Sequence, residues 1–124
     1  MKANELRIGN YVTGKSRLLK DVTLTVTEIN ETHVQAWEKG PLGASDEYLL
    51  PIPLTEEWLL KFGFIKMGGY AWYCRRIGRQ RFIENHLTKG YFEVDNGSKR
   101  IQFVHQLQNL YFALTGEELI ECNQ

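Results

Sequence analysis

The sequence predicts an α+β fold, in which a β-rich N-terminal half packs on an α-β-β-β-α C-terminal half. Three observations carry this expectation. Apolar residues alternate with threonine over Val22–Thr27, the two-residue period of a strand with one buried face. The period becomes helical at Thr55 and again near Val104. Asn96-Gly97 is a strong two-residue hairpin signal, because both positions tolerate positive φ. With 43% hydrophobic and 24% charged residues, 11 Gly and 3 Pro, the composition is that of a globular domain and not of a disordered, collagen-like or low-complexity chain. A chain of 124 residues can build one real core. The expected organisation is one compact domain over residues 1–124, divisible into a β-rich subdomain 1–53 and an α-β-β-β-α subdomain 54–124.

The elements follow in order. Leu6-Arg7-Ile8-Gly9-Asn10-Tyr11-Val12 places a Gly-Asn turn pair before β-branched Val12, which resembles the opening of many small SH3-like barrels and makes such a barrel one form of the first half. Asn30-Glu31-Thr32 reads as a turn between the Val22–Thr27 strand and a second alternating run, His33–Glu38, the two forming an antiparallel hairpin. Residues 39–46 are a loop by composition. Tyr48–Leu50 is a short strand running into Pro51-Ile52-Pro53, whose two prolines bar a central-strand role. Thr55 then caps a helix over Thr55–Phe62. Glu56 and Glu57 suit its positive end, Gly63 stops it, and Leu54 staples onto Leu59.

In the second half, strands are expected over Tyr70–Ile77, Arg79–Leu87 and Gly90–Asp95, with Ser98–Phe103 returning from the Asn96-Gly97 turn. Val104, Leu107, Leu110, Tyr111 and Leu114 keep helical spacing up to Gly116. Thr115-Gly116-Glu117-Glu118 has capping-box spacing for one last turn. Within this helix, Gln108–Ala113 looks like the linker of a cleavable purification tag. It departs from that linker at its first residue and at the cleavage position, Ala113, and it reads equally as native helix.

Three segments, Asn4–Val12, Ile52–Phe64 and Val104–Leu119, together resemble a family of small uncharacterised Bacteroidetes proteins often encoded among prophage or mobile-element genes. The resemblance implies a phage-associated or mobile-element setting and raises the weight of a host-takeover or nucleic-acid-proximal role. It carries over no catalytic or binding residue.

Charge supplies the clearest functional signal. Fifteen basic and fifteen acidic residues cancel, so no global field draws the chain to a membrane or a polyanion. The balance is uneven along the chain: residues 61–116 hold nine basic against three acidic residues, and residues 1–60 hold six against nine. Arg75, Arg76, Arg79 and Arg81 are the candidate nucleic-acid contacts, interleaved with Trp72, Tyr73 and Phe82 as in surfaces that stack bases and attract phosphates. The plainer reading sends the aromatics to the core and the arginines to solvent. Trp37 is the candidate protein interface. If Val34 and Ala36 point inward it points outward, unless a bulge returns it to the core.

Catalytic signals are thin. Glu84 and His86 share a strand face and could form an acid–base pair, with surface residues as the simpler account. No phosphate loop or nucleophile elbow accompanies them. His33, His86, His105, Cys74 and Cys122 lack metal-ligand spacing, so no metal or cofactor is expected. His105 reads as a residue of the last helix's first turn. The charged start, the lack of a long apolar run and the two cysteines make the cytoplasm the expected compartment and a membrane role unexpected. The expectation is a non-enzymatic binding module or adaptor, its partner a protein before a nucleic acid. The alternative is a nucleic-acid-associated accessory protein.

Overall fold

The computed structural model describes residues 5–15, 22–30, 34–38, 43–45, 48–67, 72–77, 81–88, 91–94 and 99–121; for 45, 66–67, 72–77, 81–88, 91–94 and 99 it describes the backbone. The chain forms two compact units, Met1–Ile52 with Val104–Leu110 and Pro53–Phe103 with Tyr111–Gln124. Each contains a five-stranded antiparallel sheet, so the fold is α+β.

In the first unit the strands are β1 (Tyr11–Gly14), β2 (Leu24–Ile29), β3 (Val34–Trp37), β4 (Gly43–Ser45) and β5 (Leu49–Leu50). They lie in the order β4-β3-β2-β1-β5 and curl into a half-barrel. The curl comes from β1, whose first two residues pair with β2 (Tyr11↔Thr25, Val12↔Leu24) and whose last two pair with β5 (Thr13↔Leu50, Gly14↔Leu49). Alternation buries Leu24, Val26, Val34, Ala36, Val12 and Leu49 together with Leu6 in one cluster.

The β2–β3 register slips by one residue after Val26, because Val26 faces Ala36 while Glu28 faces Gln35. Thr27 is the extra residue of a β-bulge. Without it the strict alternation that buries Leu24 and Val26 would send Glu28 inward. With it, Glu28 is exposed and Ile29 packs on the core. The strand accordingly extends to Ile29, two residues beyond the alternating run. Gly43–Ser45, expected as loop, is an edge strand instead. Its backbone completes the ladder on β3 (Trp37↔Gly43, Ala36↔Ala44, Gln35↔Ser45), a tertiary pairing that outweighs weak local propensity.

The first unit also takes the start of helix α2 (Val104–Thr115). Arg7 to Asn10 form a turn in which the Asn10 N–H donates to the Arg7 carbonyl (3.0 Å) and Gly9 adopts φ 99°, which only glycine takes readily. The fully buried Gln108 side chain lies against this turn. Its Oε1 accepts from the Tyr11 N–H (2.8 Å) and its Nε2 donates to the Gly9 carbonyl (3.2 Å). Asn109 adds a second layer: its Oδ1 accepts from Asn10 Nδ2 (2.9 Å) and its Nδ2 donates to the Glu5 carbonyl (3.2 Å). The Gln108-Asn109 pair is therefore an integral part of the fold.

The second unit opens with α1 (Glu56–Lys61). Thr55 Oγ1 accepts from the Trp58 N–H (3.4 Å), Glu56 and Glu57 occupy the first turn, and Lys61 pairs with Glu57 (3.3 Å). Its exit is a Schellman motif. Gly63, at φ 87°, donates to the Leu60 carbonyl and Phe64 donates to that of Leu59, with Leu59 and Phe64 both buried. The sheet that follows comprises β6 (Ile65–Met67), β7 (Trp72–Ile77), β8 (Arg81–Thr88), β9 (Tyr91–Val94) and β10 (Lys99–Ile101), in the order β10-β9-β8-β7-β6. Five strands stand where α-β-β-β-α counts three: β10 falls within the returning segment Ser98–Phe103, and β6 is three residues long and too short to display a period. The Asn96-Gly97 turn lies outside the described residues, but the strands it would join, β9 and β10, pair antiparallel.

At the end of α2 the capping-box expectation gives way. Thr115 Oγ1 donates to the Tyr111 carbonyl (2.8 Å) and accepts from the Glu117 N–H (3.0 Å), so the hydroxyl closes α2 and no further helical turn begins. Leu114, expected on the apolar stripe, is 58% exposed.

The two bonds of Gln108 are the first unit's most testable feature. Gln108→Leu keeps the volume but removes both partners from the Gly9–Tyr11 backbone, at a cost of about 2–3 kcal/mol. A lowered urea midpoint with an unchanged slope would register it.

Candidate functional site

Trp37 lies on the outer face of the first sheet. The outward row running across it is Tyr11, Thr25, Trp37 and Gly43, directly opposite one another on β1, β2, β3 and β4. The bulge at Thr27 is on β2 and leaves the alternation of β3 intact, so Trp37 is outside, at 44% exposure, while Val34 and Ala36 are buried. The indole is nonetheless held. A Cβ built on Gly43 would fall 2.5 Å from Trp37 Cε3 and 2.6 Å from Cδ2, so the ring lies directly over the glycine backbone. The glycine seats one face of the indole and fixes its position, while the rest of the residue stays open to solvent.

The described arginines of the basic cluster occupy the β7–β8 hairpin, and Arg79 lies outside the described residues. Arg75 faces Ile83, Arg76 faces Phe82 and Ile77 faces Arg81. Directly opposed residues share a sheet face and neighbours along a strand alternate. Arg75 and Arg81 are therefore on the face that carries Ile101, which is 4% exposed. Arg76 is on the other face, the one carrying exposed Arg100 and Ile65. The three described arginines do not form a stripe on one face.

The same register places Glu84 and His86 on the Arg76 face, opposite Cys74 and Trp72. His86 continues across the sheet to Glu93 and Arg100, giving a row of Met67, Trp72, His86, Glu93 and Arg100 over five strands. His33 and Cys122 lie outside the described residues. Among the described residues no group of three or more His, Cys, Asp or Glu is placed to hold a metal ion.

His105 occupies the first turn of α2 and is buried. Burial lowers its pKa below the ordinary value, with the charge of Glu5 opposing the shift. Sequence reasoning missed the polar content of this helix face, since His105 and Gln108 sit at helical spacing with Val104, Leu107 and Tyr111 and are buried with them. The available signal was the spacing itself, which puts both on the apolar face. Gly43 was missed as well, because a glycine inside a Gly-Pro-Leu-Gly stretch reads as loop.

Compared with protein-family models, curated proteins and solved structures, the chain matches none.

The buried imidazole has a consequence for acid stability. Its folded pKa lies below the unfolded one, so between the two values the unfolded chain binds more protons. Stability is unaffected above about pH 6.5 and falls as pH drops below it, by up to about 1.4 kcal/mol per pH unit until the folded pKa is passed. His105→Leu should lose this part of the slope, read as the difference in urea midpoints between variant and wild type from pH 7.5 to 5.

Proposed function

We propose that the chain is a non-enzymatic binding module of the cytoplasm, and that its first unit, a small barrel of SH3-like type, grips a protein partner through Trp37. The observation that carries this reading is an indole that is 44% exposed and yet fixed over Gly43. A large aromatic held in one place loses little conformational freedom on binding, and tryptophan is the residue most enriched at interface hot spots. Support for the barrel comes from the strand order β4-β3-β2-β1-β5 and from the way β1 divides its pairing between β2 and β5. Leu50, 40% exposed, shares the outer face with Trp37 and adds apolar area to it.

Among the described residues no helix is long and apolar enough to cross a membrane. The resemblance of three segments to prophage and mobile-element proteins fits a module that engages another protein of such an element or of its host. The rival reading, a single-strand surface of interleaved arginines and aromatics, needs those residues on one face, and the register of β7 and β8 divides the three described arginines between two.

The test compares affinity capture from cells by wild type and by Trp37→Ala, with quantitative mass spectrometry of the bound proteins. A hot-spot tryptophan is worth about 2 kcal/mol or more, roughly a thirtyfold loss of affinity. Proteins held by the wild type should therefore disappear from the variant, whose fold is intact because the ring sits outside the core. Gly43→Ala should weaken the same captures by displacing the indole from its seat. An identical set of captured proteins from all three chains would refute the reading.

A further inference from the structure

We infer that the partner gripped by Trp37 is a basic, extended protein segment with arginine at alternate positions, one guanidinium stacking on the indole and the next meeting the carboxylate of Glu28. The inference rests on the reading of Trp37 as a protein interface and adds the chemistry of what it binds.

The observation behind it is where the Thr27 bulge sends Glu28. Strict alternation along β2 would carry Glu28 to the core face with Leu24 and Val26. The bulge re-aims it, so Glu28 is exposed and lies directly opposite Gln35, on the face that also carries Trp37. Gln35 and Trp37 are two residues apart on β3, which is about 7 Å, and β2 runs about 4.8 Å to the side. Trp37 and Glu28 are therefore about 8 Å apart, backbone to backbone, on one side of the sheet. The Glu28 carboxylate accepts from Asn30 Nδ2 (3.4 Å), a neutral donor that leaves its charge in place.

An aromatic ring and a carboxylate at this spacing select a cation. The sequence around them has the matching sign: between Lys20 and Lys39 stand four acidic residues, Asp21, Glu28, Glu31 and Glu38, and no lysine or arginine. The described outer-face neighbours of Trp37, namely Tyr11, Thr25, Gln35 and Gly43, are uncharged. Gly43 takes one face of the indole, and the 44% exposure of the residue leaves ring surface for a planar group. Tryptophan is the best of the aromatic rings for a cation, and the planar, weakly hydrated guanidinium stacks on it better than an ammonium does. Along an extended segment, side chains of one face recur every two residues, about 7 Å apart, which matches the step from Trp37 to the Gln35–Glu28 pair. The same four carboxylates repel a phosphate backbone, so a stacked nucleobase is the wrong occupant.

The test is fluorescence anisotropy of labelled peptides of about eight residues, in which arginine, lysine, citrulline or glutamate alternates with serine, titrated with the full chain at about 50 and 200 mM salt. The arginine peptide should bind, more weakly at the higher salt, and the lysine peptide about threefold more weakly than it. The citrulline and glutamate peptides should not bind. Trp37→Leu should weaken the arginine peptide by about fivefold, and Glu28→Gln by about threefold with a smaller salt effect. If Trp37→Leu loses its circular dichroism, Trp37→Phe replaces it, with an expected loss of about twofold. The inference is overturned by absent binding of the arginine peptide at the lower salt, by equal affinity for the citrulline peptide, or by an affinity that the Trp37 and Glu28 variants leave unchanged. Affinity capture from cells separates this failure from failure of the interface itself. Proteins lost by Trp37→Ala but kept by Glu28→Gln, and not displaced by excess arginine peptide, would overturn the basic segment and leave the interface standing. Captures indifferent to Trp37 would overturn both.

Discussion

The first unit depends on one side chain. Gln108 presents to the Gly9–Tyr11 backbone an acceptor for one N–H and a donor for one carbonyl, the same pair of groups that a neighbouring strand would offer. A carboxamide can imitate a peptide unit in this way because it carries both functions in one plane. The bonds join residues nearly a hundred positions apart, and they close over a turn whose glycine has positive φ and whose Asn10 is itself fully buried. Asn109 then engages Asn10 and the Glu5 carbonyl, so consecutive residues of one helical turn hold consecutive parts of one loop. Buried amides earn their place only when every function is met, which is why an arrangement of this kind behaves as a unit.

With that turn held, β1 leaves in a fixed direction and the remaining strands of the first sheet build on it. The bulge at Thr27 is the second constraint. It keeps Glu28 in solvent and Ile29 on the core, while the regular alternation of β3 sends Val34 and Ala36 in and Trp37 out. A tryptophan left on an outer face would usually be a solubility liability, and here a glycine on the edge strand takes one face of it. The ring is thus held on one face while the rest of the residue is open to solvent, and a methyl group at Gly43 would displace it.

The second unit distributes charge differently. Its sheet is five strands wide where β6, β9 and β10 join the β7–β8 hairpin, and Arg75, Arg76 and Arg81 lie in the last three described pairs of that hairpin. The register of β7 and β8 puts Arg75 and Arg81 on one face of the sheet and Arg76 on the other. On the wide part the register sets Glu93 between His86 and Arg100.

Much of this was legible in the residues. The α1 helix follows from Thr55, Glu56, Glu57 and Gly63, and its observed cap, first turn and Schellman exit use those residues in those roles. The long helix follows from Val104, Leu107 and Tyr111, the first hairpin from the threonine alternation, and the outward position of Trp37 from its place after Val34 and Ala36. All of these depend on neighbours within one or two turns of chain, and local stereochemistry reads out at that range. Whether Gly43–Ser45 is a loop or an edge strand depended on β3 offering a ladder. Whether His105 and Gln108 are surface or core depended on what the helix meets, and whether Arg75, Arg76 and Arg81 share a face depended on the register of two strands. A periodic pattern states which residues share a face but is silent on what that face will touch. Pairing between distant segments is decided by the total burial and hydrogen bonding of the folded chain, and only the tertiary structure sums those terms.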